Sequence, residues 1–213
     1  MIKAYCINLD RKIEKFLDIK KNFDDILNIE RYTAIDGTLN NMSGAKALCK
    51  TNIDIINSDE INLPYCIIIE DDIVKNEYFD LYWNDIVDFI NNRDNVWDFI
   101  GIEYSLIYGK PKLEYYNNLF LKTENFRNTG FMIYNTSFLK KNINYISSLN
   151  NLDMTITHND KFIKLIPIKQ IIYQLPNQLS DISKKPRNYN GLYKLNSKYI
   201  ENANIENANI EPQ

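Results

Sequence analysis

No stretch of this chain is apolar for long enough to cross a bilayer, and the N-terminal hydrophobic run stops at Ile7, too short for a secretory leader. Cysteine is scarce. The three residues, Cys6, Cys49 and Cys66, follow no metal-type spacing, and an odd, unpatterned set suits buried thiols in a reducing compartment. A cytoplasmic location is therefore the expectation. There is no excess of positive charge: 25 Lys and Arg stand against 28 Asp and Glu, for a net charge of −3. A phosphate backbone wants a basic face, so nucleic acid is excluded as the main partner. Any anionic ligand must be held locally, by a metal, a helix N-terminus or a few Lys and Arg. Oligomeric state leaves no mark on the sequence.

What the chain does have is one buried-looking strand that ends in acid, Tyr65-Cys66-Ile67-Ile68-Ile69-Glu70-Asp71-Asp72-Ile73. The consecutive apolar residues predict a strand covered on both faces, with Pro64 at its entrance. Adjacent anions at a partly buried site repel by about 4 kcal/mol per close pair. Such a triplet needs good solvation or an offsetting cation. Side chains alternate along extended backbone, so Glu70 and Asp72 can share a side while Asp71 faces the other. That pattern suits a clamp for a hard divalent ion plus one carboxylate for a ligand hydroxyl. It equally suits a solvated acidic turn leading into a helix.

The 213 residues suit one α/β domain. A strand over Ile2–Ile7 leads through Asn8-Leu9-Asp10-Arg11 into a helical stripe of Ile13, Phe16, Leu17, Ile19, Phe23, Ile26 and Leu27. A second strand over Arg31–Ile35 closes on Asp36-Gly37, making a β-α-β unit with its polar loop where parallel sheets place ligand groups. Ser43 caps a helix to about Ile56, with Ala45, Leu48, Ile55 and Ile56 as possible inward positions. Beyond the acidic strand come a helix over Glu77–Ile90, a strand over Trp97–Ile102 ending at Glu103, and hairpins or loops to Phe126. A strand follows over Thr129–Tyr134, with Thr136 as N-cap of the next helix. Asn151-Leu152-Asp153 opens a polar helical segment carrying the single histidine, His158, before short strands over Ile163–Ile168 and Ile171–Gln174. The repeated Ile-Glu-Asn-Ala-Asn at the end fits neither helix nor strand period and reads as a disordered tail. Alternating strands and helices predict a doubly wound sheet, with some antiparallel strands later in the chain.

Cys6-Ile7-Asn8-Leu9-Asp10-Arg11, Ala34-Ile35-Asp36-Gly37, Ile69-Glu70-Asp71-Asp72, Thr129-Gly130-Phe131-Met132-Ile133 and Leu152-Asp153 resemble, in order and spacing, the motifs of glycosyltransferase family 25. Its members include bacterial lipooligosaccharide galactosyltransferases and procollagen galactosyltransferases. The resemblance covers about residues 1–185, and leaves 186–213 as a C-terminal extension with the Asn-rich tail. It implies a GT-A-type nucleotide-diphospho-sugar transferase fold, a Rossmann-like mixed sheet flanked by helices. It also implies a UDP-sugar donor, Mn²⁺ or Mg²⁺, inversion at the anomeric carbon, and a glycan or protein acceptor. Two departures stand out: Ser43-Gly44 where the family has Ser-His, and Lys15 as the nearest basic residue where it has a second arginine.

On that basis Asp72 is expected to contact the metal, with Glu70 beside it or acting through water and His158 as a third-ligand candidate. Asp71 is expected at the ribose or donor sugar. Asn8, Asp10, Arg11, Asp36 and Gly37 would line the nucleotide site, with Lys46 reaching a phosphate and Gln174 carried by the resemblance alone. Asp153 is the candidate general base. Lys184, Lys185 and Arg187 could close as a lid. Each has a plainer counterpart: Asp153 as a helix cap, His158 as a surface residue, Asp36-Gly37 as a turn, the basic run as a solvated loop. The competing function is a catalytically inactive GT-A-like nucleotide-binding or interaction module. A receiver-type phosphoacceptor is set aside, because its acid pair belongs after the first strand.

Overall fold

The computed structural model describes residues 1–58, 64–106, 111–149, 157, 159–175, 178–179, 186–187 and 190–208. Among the described residues the α-helices are α1 (Ile13–Phe23), α2 (Gly44–Asn57), α3 (Phe79–Asn91), α4 (Thr136–Ser147) and α5 (Asn190–Ala208). The strands are β1 (Ile2–Asn8), β2 (Leu27–Thr33), β3 (Tyr65–Glu70), β4 (Ile73–Lys75), β5 (Phe99–Gly101), β6 (Leu113–Tyr115), β7 (Phe120–Thr123), β8 (Phe131–Asn135), β9 (Lys164–Pro167), β10 (Ile172–Gln174), β11 (Gln178–Leu179) and β12 (Pro186–Arg187). Eight of them form one mixed sheet in the order β2-β1-β3-β8-β5-β9-β7-β6. Strand β1 pairs in parallel with both β2 and β3, and β5 in parallel with β9, while β8 runs antiparallel between β3 and β5. The carboxyl ends of β1, β2, β3 and β5 thus meet the start of β8 along one edge.

Strand β3 holds the centre because its side chains feed two cores. Ile67 and Ile69 point into one with Phe16, Ile19 and Phe23 of α1 and Phe79, Trp83 and Ile86 of α3. Cys66 and Ile68 point into the other with Cys49, Ile55 and Ile56 of α2 and Phe138, Leu139 and Ile146 of α4. Two-sided burial is what an unbroken apolar strand demands, and the sheet is flanked by helices on both faces as expected. Below the acidic edge Phe79 stacks on Trp83 at 5.1 Å, and Phe131 of β8 leans on Trp83 at 5.7 Å. All three cysteines are free and buried, and burial pushes the Cys66 thiol up to about 12. No helix among the described residues is long and apolar enough to cross a membrane.

The structure departs from the sequence reading in several places. Helix α1 stops at Phe23, and Leu27 opens β2, because Leu27 and Ile29 serve the same apolar layer from extended backbone. On α2 the inward face is Ala47, Cys49, Ile55 and Ile56, whereas Ala45 and Leu48 are only partly buried. The cap of α4 is Asn135, whose Oδ1 accepts from the Ser137 and Phe138 N–H groups; Thr136 is the first helical residue. The Asn-rich end, expected to be disordered, is helical to Ala208. Its register is set further upstream, where Tyr193, Asn196 and Ile200 fall on one buried face. Asn196 is fully buried and bonds the Leu106 N–H and the Tyr104 carbonyl, so a polar residue occupies an anchoring position that hydrophobic patterning passes over.

Gly101 shows how tightly the sheet is filled. A Cβ there would fall 2.5 Å from Cε2 of Phe126, a ring buried to 1 % exposure. Gly101→Val is expected to destabilise by about 1–3 kcal/mol through overpacking, read from urea unfolding, and Phe126→Leu in the same chain should recover part of the loss.

Candidate active site

Carboxylates gather along the edge where β1, β3 and β5 end. The triplet at the end of β3 turns sharply: β4 begins at Ile73 and pairs with β10, and the Asp72 carbonyl accepts the Leu175 N–H at 2.7 Å. Its members diverge. Glu70 Oε1 accepts from the Thr129 hydroxyl at 3.4 Å, on the β8 side. Asp71 faces β1, where Oδ2 accepts from Asn8 Nδ2 at 2.7 Å and Oδ1 lies 3.9 Å from Lys15 Nζ. Asp72 has its Oδ1 shielded from solvent, and its charge is felt by Glu103. Glu70 and Asp71 do part, but β3 ends at Glu70 and residues 71 and 72 form a turn, so the expected alternation along extended backbone does not extend to Asp72; Lys15 sits in this corner.

Glu103 was noted in the sequence only as a strand ending. It is fully buried, and Oε1 accepts from Asn128 Nδ2 at 3.0 Å and from the Tyr193 hydroxyl at 2.9 Å. Its Oε2 takes the Gly130 N–H at 3.3 Å. Burial raises its pKa to about 8; the hydrogen bonds from Asn128 and Tyr193 oppose this, and the Asp72 charge adds to it. A Cβ on Gly130 would sit 3.1 Å from Glu103 Oε2 and 3.6 Å from Gln174 Nε2. Gln174 therefore lies in the acidic corner beside Glu103, and its backbone N–H donates to Tyr193.

Next to this corner, above the ends of β1 and β2, opens a cleft of about 520 Å³. Leu9, Ile35, Leu39 and Met42 give it an apolar lining; Asp10, Arg11, Asp36 and Lys50 give it charge. Arg11 Nε donates to Asp36 Oδ2 at 2.9 Å, and the Thr38 N–H donates to Asp36 Oδ1 at 2.9 Å. Burial works to raise the Asp36 pKa, but those bonds and the Arg11 charge outweigh it and hold the carboxylate below its usual range. Gly37 answers a close approach, since a Cβ would stand 2.8 Å from the Met42 carbonyl oxygen. Asp36 therefore lines the cleft, while Gly37 serves the turn behind it and is not part of the lining. Asp10 is likewise held low by its hydrogen bond from Arg31. Lys46 is exposed on the first turn of α2, and it is Lys50, one turn on, that reaches the cleft wall.

Asn8 joins the two regions. It is 1 % exposed, donates from Nδ2 to Asp71 and to the Lys12 carbonyl, and accepts at Oδ1 from Arg31 Nε at 2.8 Å. Arg31 gave no signal in the sequence; its place opposite Cys6 in the β1–β2 register is what aims it at this loop. Asp153, His158, Lys184 and Lys185 lie outside the described residues, and Arg187 falls in β12.

The oxygen donors Glu70 and Asp72 fit a hard divalent ion, which commonly takes only one or two carboxylates when phosphates and water supply the rest. The Asp72 charge, which adds to the upward push on the Glu103 pKa, would be offset by such an ion. Among the described residues no group of three His, Cys, Asp or Glu is placed to hold a metal unaided.

No protein-family model matches the sequence, and neither does any curated protein. Among solved structures, similarities include A197 from STIV at 8 % identity, covering 84 % of this chain and 97 % of that one, with a TM-score of 0.34. A mutant of Drosophila β-1,4-galactosyltransferase 7 complexed with manganese, UDP-Gal and xylobiose is 10 % identical over 66 % of this chain and 52 % of that one, TM-score 0.35. Mouse xyloside xylosyltransferase 1, in its apo form, is 11 % identical over 76 % of this chain and 63 % of that one, TM-score 0.37.

Proposed function

We propose that this chain is an inverting, metal-dependent glycosyltransferase of GT-A type, moving a hexose from a UDP-sugar to a hydroxyl of a glycan or protein, with galactose or glucose the favoured sugar. One observation carries the reading: an acidic corner at the end of β3 and a partly apolar cleft at the ends of β1 and β2 share one sheet edge and are bonded through Asn8. Ligands of open α/β sheets bind at such an edge. The cleft suits a flat base and its ribose; the corner suits a diphosphate with its cation.

In this reading Leu9, Ile35 and Met42 flank the base while Asp36 and Asp10 meet polar groups of the nucleoside. Lys50, on the cleft lining, offsets phosphate charge. Glu70 and Asp72 would hold a divalent ion, which would supply positive charge to offset the leaving diphosphate. Asp71, oriented by Asn8, meets the ribose or the sugar. The acceptor oxygen bonds to the anomeric carbon as the bond to the diphosphate breaks, and a general base takes the acceptor's proton, the role assigned to Asp153.

The test is release of UDP from a panel of UDP-sugars, with and without Mn²⁺ and with simple glycan acceptors. Metal-dependent release from one hexose donor is the expected result. No release from any donor, with UDP still bound, would favour the inactive nucleotide-binding module.

A further inference from the structure

We propose that Arg31 is a positioning residue: it fixes the orientation of the Asn8 amide, and so links the walls of the cleft to the acidic corner. The kinetic part of this inference rests on the glycosyl-transfer reading; the structural part does not.

A guanidinium has donors and no acceptor, so the group it meets must present oxygen. Arg31 Nε donates to Asn8 Oδ1 at 2.8 Å. The Asn8 NH₂ must then point the other way, where two acceptors wait: the Lys12 carbonyl at 2.8 Å and Asp71 Oδ2 at 2.7 Å. Flipping the amide would set NH₂ against the guanidinium and oxygen against a carbonyl and a carboxylate. At 1 % exposure, water cannot repair those contacts. One orientation survives, held at the NH₂ by the Lys12 carbonyl and Asp71 and at the oxygen by Arg31, whose bond locks the amide plane from the side facing the cleft.

The same planar group also meets Thr33 Oγ1 at 3.3 Å and pairs with the Asp10 carboxylate. Asp10 and Thr33 both line the cleft. Arg31, Thr33 and Asn8 meet because Arg31 lies opposite Cys6 and Thr33 opposite Asn8, two residues apart on one sheet face. A ligand that draws on Asp10 or Thr33 therefore pulls on the group that aims Asn8 at Asp71. A lysine at position 31 would keep a charge for Asp10 but could not serve Asn8 and Asp10 from one rigid fork.

Arg31→Met, Arg31→Lys, Asn8→Ala and the double variant Arg31→Met/Asn8→Ala separate the possibilities. In ¹⁵N-labelled wild-type protein the Asn8 side-chain NH₂ pair should be dispersed and slow to exchange. In Arg31→Met it should move towards the averaged position of exposed amides, with Arg31→Lys between, while the thermal midpoint moves by only a few degrees. With the UDP-sugar that wild type turns over, kcat/KM should fall at least tenfold in Arg31→Met and in Asn8→Ala, and the double variant should be no worse than Asn8→Ala alone. An Asn8 NH₂ pair unchanged in Arg31→Met, or losses that multiply in the double variant, would overturn the role. Should wild type turn over no UDP-sugar, the transferase reading fails, and the NH₂ resonances still decide for or against Arg31. If Arg31→Met does not fold, Arg31→Lys carries the same comparison.

Discussion

Asp72→Asn is expected to lower metal-dependent UDP release by at least ~100-fold, the scale on which enzymes lose rate when a group stabilising developing charge is removed. The substitution is nearly isosteric and leaves the Asp72 carbonyl in place to accept the Leu175 N–H, so the turn into β4 should persist. It also removes an anion that now disfavours ionisation of Glu103, so folding stability should hold or rise. The measurement is steady-state UDP release beside a thermal midpoint. Glu70→Gln should cost less, because Glu70 already shares its carboxylate with Thr129. A fully active Asp72→Asn enzyme would remove the acidic corner from the chemistry and the proposed function with it.

The second large effect is on stability against pH. The Glu103 pKa is raised from 4.5 to about 8, chiefly by burial, so between those values the folded protein holds a proton that the unfolded chain releases. Stability is then full below about pH 4.5 and is lost as pH rises through 8, at roughly 1 kcal/mol per pH unit and roughly 3 kcal/mol between pH 5 and 8. Asp10 and Asp36, both held low, act in the opposite sense but in the acid range, where stability is lost as pH falls through their folded pKa values. Denaturant unfolding at pH 5, 6.5 and 8 in metal-free buffer should show the decline. Glu103→Gln should flatten it. Its Oε1 can still accept from Asn128 and Tyr193, but its NH₂ faces the Gly130 N–H, so the variant should lose at pH 5 and gain at pH 8. Parallel curves for the two proteins would mean that Glu103 is ionised throughout.

Much of this architecture was legible because it rests on local pattern. The run Cys66–Ile69 announced a two-sided strand, Ser43 announced the start of α2, and the acids at 70–72 marked where β3 ends, at the edge the proposed site would occupy. The parts that were hidden depend on partners distant in sequence. Strand β4 is three residues long and exists because β10 lies against it. Glu103 looks like any acid after a strand until Asn128, Gly130 and Tyr193 close around it. Arg31 is an unremarked basic residue in an alternating strand, and only register with β1 turns it towards Asn8. Local spacing carries no information about any of these.

The seat of Tyr193 and Asn196 on Glu103 and Tyr104, about ninety positions earlier, bears on how the protein emerges during translation. The sheet can assemble as its strands leave the ribosome, but the carboxyl of Glu103 must wait for a hydroxyl synthesised 90 residues later. Until α5 arrives, the nascent chain carries an acid facing an uncovered gap and the unpaired Leu106 N–H. Stalled or prematurely terminated products that stop before Tyr193 should therefore be the forms that chaperones hold and proteases clear, even with most of the sheet already made.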